Sequence, residues 1–322
     1  MPFFWQRDSE SDKQERQRRE QEQQLSIEAL KAGRLPVAAQ RRLEEQRQSE
    51  NFFSSDLSTG EHLLTREAGY EPLAQVMGSA FYKVGYRGYF SGGYGRTGEI
   101  EALSRAQIAA RRLAIDRLLQ EARLLAAHGV ISVEVKAGSY DWSTGLVEFT
   151  ALGTAIRLKD RPPTEHPFAS DLSGQDFWQL HRRGWWPRDL AFGICSYYIY
   201  SDYQTRSILG NYWGSGWANR EIAQYSDGFQ KARHLAVERL TGDIRRARAQ
   251  GVVGVRIDYE VEEIEYEVND TPYRDLLVQF IALGTAIGPD EQPAAIKTAA
   301  PVLFYDLRRR ECRDLSIDNI AE

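Results

Sequence analysis

Apolar and polar residues follow two periodicities along most of this chain, and the same succession of periodicities occurs twice. Between residues 98 and 127, apolar residues recur at intervals of three and four, which predicts a long amphipathic helix. Residues 130–135 then alternate as Val-Ile-Ser-Val-Glu-Val, which predicts a half-buried strand. The same succession predicts a second long helix over residues 219–250 and a strand over 252–257.

Shorter elements complete the prediction for each half of the chain. Ser58-x-x-Glu61 forms a capping box, which predicts a short helix that ends near Gly69. The second half repeats this layout from Ser173. Residues 73–84 and 190–200 are predicted strands, and residues 146–156 form a closing strand in the first half.

Two short blocks show that the sequence repeats itself. Residues 149–156 and 280–287 are identical at seven of eight positions, and Ser-Asp-Leu-Ser occurs at 55–58 and again at 170–173. The offset grows from 115 to 122 and then to 131 residues, as expected for a duplicated domain with insertions between its elements. We therefore predict an extension at 1–53, one module at 54–160, a second at 169–288 and a tail at 289–322.

The order of elements in both modules resembles that of the YbjQ family. A strand and a long helix precede a Gly-Val-x-x-Val-x-Val strand and a final strand with the pattern Phe-x-Ala-x-Gly-Thr-Ala-Ile. The resemblance implies an α+β fold built from tandem β-α-β-β modules that assemble into a ring, typically a pentamer. The family is often labelled a heavy-metal-binding domain.

Composition narrows the class of protein. The net charge is −5, from 41 basic and 46 acidic residues, which argues against a general nucleic-acid binder. No apolar run reaches the 18 or more residues that a membrane span needs, and the N-terminus lacks the apolar stretch of a secretory signal. Two cysteines cannot build a disulfide framework, so we expect a cytoplasmic protein.

The extension is strongly charged. Residues 7–24 predict either disorder or a solvent-exposed helix, and residues 25–30 and 35–48 predict two short amphipathic helices. Phe3, Phe4 and Trp5 precede this stretch and are candidates for docking a protein partner. A weak interfacial membrane anchor is the alternative, but the long apolar face of a stable interfacial helix is missing.

The residues that could carry metal or cofactor chemistry are scattered. Cys195 and Cys312 lie 117 positions apart, and no CxxC or HxxxH pattern occurs. The segment from Gly93 to Gly98 fits GxGxxG, but it lacks the βαβ setting of a dinucleotide fold. We therefore predict no metal site, no cofactor and no catalytic residue.

Aromatic residues are concentrated in the two loops that precede the long helices. Rigid aromatic side chains are enriched in interfaces, so these residues are candidates for a subunit interface or a ligand groove, with packing on the parent domain as the alternative. The candidates are Tyr86, Tyr89, Phe90, Tyr94, Tyr203, Tyr212, Trp213 and Trp217.

These observations favour a non-enzymatic oligomeric ring or scaffold protein that binds a ligand or partner at its subunit interfaces. Head-to-tail contacts close into rings when the rotation permits, and we favour a pentamer of two-module chains over a trimer. The alternative is a binding protein that responds to a metal or a small ligand.

Overall fold

A computed structural model describes residues 10–48, 54–83, 96–139, 146–159, 161–209, 219–268, 271–291, 303–306 and 311–314. The helices are α1 (Glu10–Lys31), α2 (Val37–Gln48), α3 (Thr59–Glu67), α4 (Glu101–Leu124), α5 (Gly174–Arg182), α6 (Tyr203–Leu209) and α7 (Ala223–Arg246). The strands of the first half are β1 (Tyr70–Lys83), β2 (Gly98–Glu99), β3 (Gly129–Ser139) and β4 (Leu146–Leu158). The remaining strands are β5 (Phe168–Ala169), β6 (Trp185–Ile199), β7 (Gly251–Val268), β8 (Thr271–Pro289), β9 (Leu303–Asp306) and β10 (Glu311–Asp314).

The elements form two sheets of similar layout, which confirms the predicted α+β fold. The first sheet has the strand order β1-β4-β3-β5 and the second has the order β2-β6-β8-β7. We call residues 54–159 the first half of the chain and residues 168–291 the second half. β2 comes from the first half but joins the second sheet, whereas β5 comes from the second half but joins the first. Each half therefore contributes one short strand to the sheet of the other.

The two long helices and the two sheets form alternating layers. A glycine lets each long helix lie directly on its sheet: an added Cβ on Gly78 would be 1.9 Å from the Ala114 carbonyl oxygen. Gly193 has the same relation to Ala236, again at 1.9 Å. Phe192, next to Gly193, points to the opposite face of the second sheet and packs with α4 in one core. The order of layers is thus α7, second sheet, α4, first sheet.

Most predicted elements are present, with shifted ends. Ser58 caps α3 in a complete capping box with Glu61, as predicted. The first long helix begins at Glu101 rather than near residue 98, because Gly98 and Glu99 pair with β6 and are thereby withdrawn from the helix.

The N-terminal extension contains two helices, and the tail contains a two-stranded ladder. Leu35 and Leu43 are 5% and 0% exposed, which shows that the α1–α2 hairpin packs on the core. β9 and β10 pair antiparallel. The partner-docking candidates Phe3, Phe4 and Trp5 lie outside the described residues.

Candidate assembly interface

The contact between the two halves begins with strand pairing. β2 pairs antiparallel with the outer edge of β6. The ladder continues into α4: Ile100 N–H donates to the Ser196 carbonyl at 2.9 Å, and Ser196 N–H donates to Ser104 Oγ at 2.9 Å. The backbone edge of β6 is therefore covered by groups of the first half, as edge strands require.

An ion pair anchors the strand that crosses between the halves. Glu99 of β2 pairs with Arg239 of α7, and these side chains are 12% and 28% exposed. Arg239 also donates to the Ile194 carbonyl at 2.7 Å. Burial lowers the pKa of Arg239, but the hydrogen bond to Glu99 and the negative charges around Arg239 together outweigh burial, so the pKa is raised.

A second anchor lies further along α4. Asp243 of α7 is 7% exposed and accepts hydrogen bonds from Arg112 of α4 and from Arg246. Its other oxygen accepts the Phe192 backbone N–H at 3.2 Å. One buried carboxylate thus ties the long helix of the first half to the edge strand and long helix of the second.

The reverse exchange occurs at the edge of β3. β5 pairs parallel with β3, and the Ser170 and Ser132 N–H groups donate to the Val130 and Leu172 carbonyls, each at 2.9 Å. Gly129 makes room for this strand, because an added Cβ there would lie 2.3 Å from the Phe168 ring.

The short helices α3 and α5 complete the contact. Leu57, Thr65 and Glu61 surround Gly174 at the start of α5. Glu61 Oε1 accepts the Gly174 N–H at 3.1 Å, and Glu61 Oε2 accepts the Ser58 N–H and hydroxyl in the capping box. Burial raises the pKa of Glu61, but these hydrogen bonds outweigh it and the pKa is lowered.

The second half carries an open counterpart of this contact on its far side. There an open cavity with a volume of about 1050 Å³ lies between α5 and β7. Three of its lining residues stand where the first half holds Gly174: Leu172, Asp176 and Leu180 occupy, at the repeat offset of 115, the positions of Leu57, Glu61 and Thr65.

The edge of β7 is open in the same region. Gly251 stands at the repeat position of Gly129, and no described atom lies within 4 Å of an added Cβ there. Gly254 has a φ of +67° at the bulge of β7, and Ser132 has a φ of +55° at the bulge of β3. β3, which pairs with β5, and β7 therefore have the same bulge at equivalent positions.

The outer face of α7 is also less covered than that of α4. Within α4, buried residues form two stripes, so both faces are packed: Leu103, Ser104, Gln107, Ala110, Arg111, Ala114, Ile115, Leu118, Leu119, Glu121 and Ala122. Within α7, they form one stripe: Gly228, Ala232, Ala236, Leu240 and Asp243. On the first sheet, Met77 and Phe81 of the face opposite α4 are 42% and 58% exposed.

A buried polar cluster joins the halves at another point. The Tyr70 hydroxyl contacts His181 Nδ1, and His181 Nε2 lies 3.2 Å from Asp290, which pairs with Arg161. Burial lowers the pKa of His181, with the Asp290 charge opposing, and it raises the pKa of the Tyr70 hydroxyl. Both ring nitrogens of His181 contact protein groups, so the role of the cluster is to hold the two halves together.

The described residues contain no group of three or more His, Cys, Asp or Glu side chains placed to hold a metal ion. His128 is a core histidine: Nδ1 accepts the Leu158 N–H at 3.0 Å and Nε2 lies 2.7 Å from the Pro162 carbonyl. Cys195 is buried, and burial raises the pKa of its thiol to about 12, which leaves the thiol protonated.

Of the aromatic candidates, Tyr203 is described; it is 87% exposed on α6. The others lie in residues 84–95 and 210–218, outside the described part of the chain: Tyr86, Tyr89, Phe90, Tyr94, Tyr212, Trp213 and Trp217. The interface residues Ser104, Arg112 and Asp243 were missed, because polar residues on a long helix also fit a solvated face.

Comparison with known proteins gives the family. Residues 93–159 match the family YbjQ_1, described as "Putative heavy-metal-binding". A UPF0145 protein of Enterococcus faecalis is 36% identical over 64 residues, which are 20% of this chain and 59% of that protein. The encapsulin nanocompartment protein Rv1762c of Mycobacterium tuberculosis is 33% identical over 259 residues, 78% of this chain and 90% of that protein. The chain belongs to the YbjQ family.

The family match covers the end of the β1–β2 connection, α4, β3 and β4, and therefore includes most of the first-half side of the interface. No solved structure matches the chain. Among the described residues, no helix combines the length and apolar character needed to cross a membrane.

Proposed function

We propose that this protein is a non-enzymatic assembly protein whose chains associate head to tail, through the same contact that joins its two halves. The observation that carries the proposal is the open counterpart of that contact. The far side of the second half presents the β7 edge and the α5 surface in the arrangement with which the first half binds residues 168–174. Repetition of this contact from chain to chain closes into a ring when the rotation permits.

The proposed role in the cell follows from the long relative. That Mycobacterium tuberculosis protein is named for an encapsulin nanocompartment, and 90% of its length aligns with this chain. We propose that this chain likewise takes part in a nanocompartment assembly in the cytoplasm. The predicted tandem modules at 54–160 and 169–288 would supply the repeated building unit, with 1–53 and 289–322 as flanking segments.

Two ring sizes are compatible with this contact. The family resemblance favours five chains. Three chains, which would form a ring of six modules, are the alternative. We retain five chains as the prediction, and native mass distinguishes a particle of five times 36.8 kDa from one of three times that mass.

The alternative function is that of a metal- or ligand-responsive binding protein, as the family description states for heavy metal. Elemental analysis of the purified chain tests it: stoichiometric bound metal would favour this alternative. The aromatic loop residues predicted from the sequence and the Phe3-Phe4-Trp5 segment remain candidates for contacts with a ligand or partner.

Light scattering of the full chain over a concentration series tests the assembly proposal. We expect the mass to rise from 36.8 kDa to a fixed multiple of that value. A chain that stays at 36.8 kDa throughout the series, both as wild type and with the α1–α2 hairpin loosened as described below, would contradict the proposal.

A further inference from the structure

The α1–α2 hairpin binds the first half at the points where α4 binds the second half. In the first half, Glu121 of α4 stands at the repeat position of Asp243 and is 3% exposed. Its carboxylate accepts the Met77 backbone N–H at 2.9 Å, as Asp243 accepts that of Phe192. The arginine that completes this anchor is Arg42 of α2, at 2.8 and 2.9 Å from the two Glu121 oxygens.

The second anchor is duplicated in the same way. Arg117 of α4 stands at the repeat position of Arg239 and donates to the Ser79 carbonyl, as Arg239 does to that of Ile194. Where Arg239 has the Glu99 carboxylate, Arg117 has the Leu30 carbonyl of α1 at 3.3 Å.

Arg117 is less well satisfied by the hairpin than Arg239 is by Glu99. Its Nε is buried and has no hydrogen-bond partner among the described residues. Burial lowers the pKa of Arg117, whereas the carboxylate partner raises that of Arg239. Arg117 therefore donates to a neutral carbonyl oxygen, whereas Arg239 makes a stronger, charge-assisted hydrogen bond to a carboxylate.

We propose that the α1–α2 hairpin is an internal stand-in for the long helix of a second copy of this chain. In the single chain, the hairpin binds Glu121 and Arg117. In the assembled form, α7 of the second copy and the segment that precedes it bind these two residues, and the hairpin is displaced. This inference rests on the proposed assembly function. The second copy supplies His234 at the position of Arg112 and Glu221 at that of Glu99, and both are exposed in the single chain.

Charge and position favour a second copy over other occupants. Glu221 brings the carboxylate that Arg117 lacks, and His234 brings a donor to Glu121. The neighbouring surface of the first sheet, with Met77 and Phe81, remains about half exposed. It corresponds to the face of the second sheet that α4 covers, so it supplies the apolar part of the same site.

The test uses full-length variants that loosen the hairpin without touching the proposed contact on α7. Arg42→Ala removes the bond to Glu121, and Arg41→Ala is the matched control, because Arg41 is similarly exposed (50% against 53%) and pairs with Glu22 inside the hairpin. We expect Arg42→Ala to lower the concentration of half-association at least threefold and Arg41→Ala to leave it unchanged. Adding Leu43→Ala, which removes the buried anchor of α2, should extend the shift to at least tenfold.

Hydrogen exchange of the wild-type chain gives an independent readout. As the chain associates, amides of α2 should lose protection, while those of β1 and α4 keep theirs. In the loosened chain, His234→Arg should further tighten association, because it restores the arginine–carboxylate pair of the internal contact.

The outcomes separate the two proposals. Association at the same concentration in all variants, or α2 amides that stay protected in the assembled form, would overturn the stand-in role and leave the assembly proposal intact. A chain that remains monomeric with and without the hairpin variants would overturn the assembly proposal itself.

Discussion

The two long helices have the same place in their halves but different neighbours. α4 is packed on two faces, against the first sheet and against the second, whereas α7 is packed on one. Both lie on a sheet glycine at the same close distance, and both bring a buried carboxylate to the backbone of an edge strand. The comparison shows that the helix face that packs against the second sheet in α4 is less covered at the equivalent place on α7.

If the internal contact is repeated between chains as proposed, the equivalent residue pairs predict that the contact between chains is weaker than the contact within one. Arg111 of α4 lies near Asp258, and their opposite charges attract. The residues at the equivalent positions of a chain-to-chain contact are Arg233 and Lys136, which repel. Because this contact would have the lower affinity, the α1–α2 hairpin can compete with it.

The largest effect is expected at the two glycines beneath the long helices. Gly78→Ala and Gly193→Ala each place a Cβ 1.9 Å from a helix carbonyl oxygen, so the helix must move. We expect each change to lower the free energy of unfolding by about 3 kcal/mol, measured by denaturant titration. Equal losses would confirm that the halves are equivalent.

Gly242→Ala on α7 is the control for those variants, since an added Cβ meets no described atom within 4 Å. There alanine should stabilise the helix by up to about 1 kcal/mol. A large loss at one glycine and none at the other would contradict the equivalence of the two helix–sheet contacts.

The next effect concerns the open surface of α5. Leu180→Asp places a charge where the Thr65 side chain meets Gly174 in the internal contact. We expect the association constant to fall at least tenfold, about 1.4 kcal/mol, with little change in thermal stability. Leu63→Asp is the control, because Leu63 is 58% exposed on α3 and lies off the internal contact; loss of association there as well would argue against a specific surface.

Helix caps should give smaller and similar losses in the two halves. Ser58→Ala and Ser173→Ala each remove a hydroxyl that accepts a backbone N–H, at 3.3 and 3.1 Å. Each should cost about 1 kcal/mol in the free energy of unfolding. No loss in either variant would show that the caps do not contribute to helix stability.

The smallest expected effect is a dependence on pH that arises at His181, in the buried cluster that joins the two halves. The folded state lowers the pKa of His181 below its ordinary 6.5, so the unfolded chain takes up the proton first as pH falls. Stability should therefore decrease as pH falls from 6.5 through the folded pKa. His181→Gln should flatten this part of the pH profile; an unchanged profile would show that His181 does not control it.

Much of the fold could be predicted because its signals are local. The 3.6-residue period marks α4 and α7, alternation marks β3, and the capping box marks the start of α3. The exchanged strands could not be predicted in the same way. Gly98–Glu99 continues the helical pattern in sequence, and its partner β6 lies about a hundred residues away.

The candidate site was less accessible to sequence reasoning than the fold. Ser104, Arg112 and Glu99 are polar, and on a helix or at its start they are indistinguishable from solvated positions until the second sheet is placed against them. Their recurrence as Ser226, His234 and Glu221 at an offset of 122 is the signal that a search for repeated polar residues could have used.

The central claim is that the internal contact is repeated between chains, and the native mass of the full chain tests it most directly. Light scattering should show a concentration-dependent rise from 36.8 kDa to a fixed multiple, with five chains predicted, and Leu180→Asp should suppress the rise. A mass of 36.8 kDa at every concentration, unchanged when Arg42→Ala and Leu43→Ala loosen the hairpin, would contradict the account.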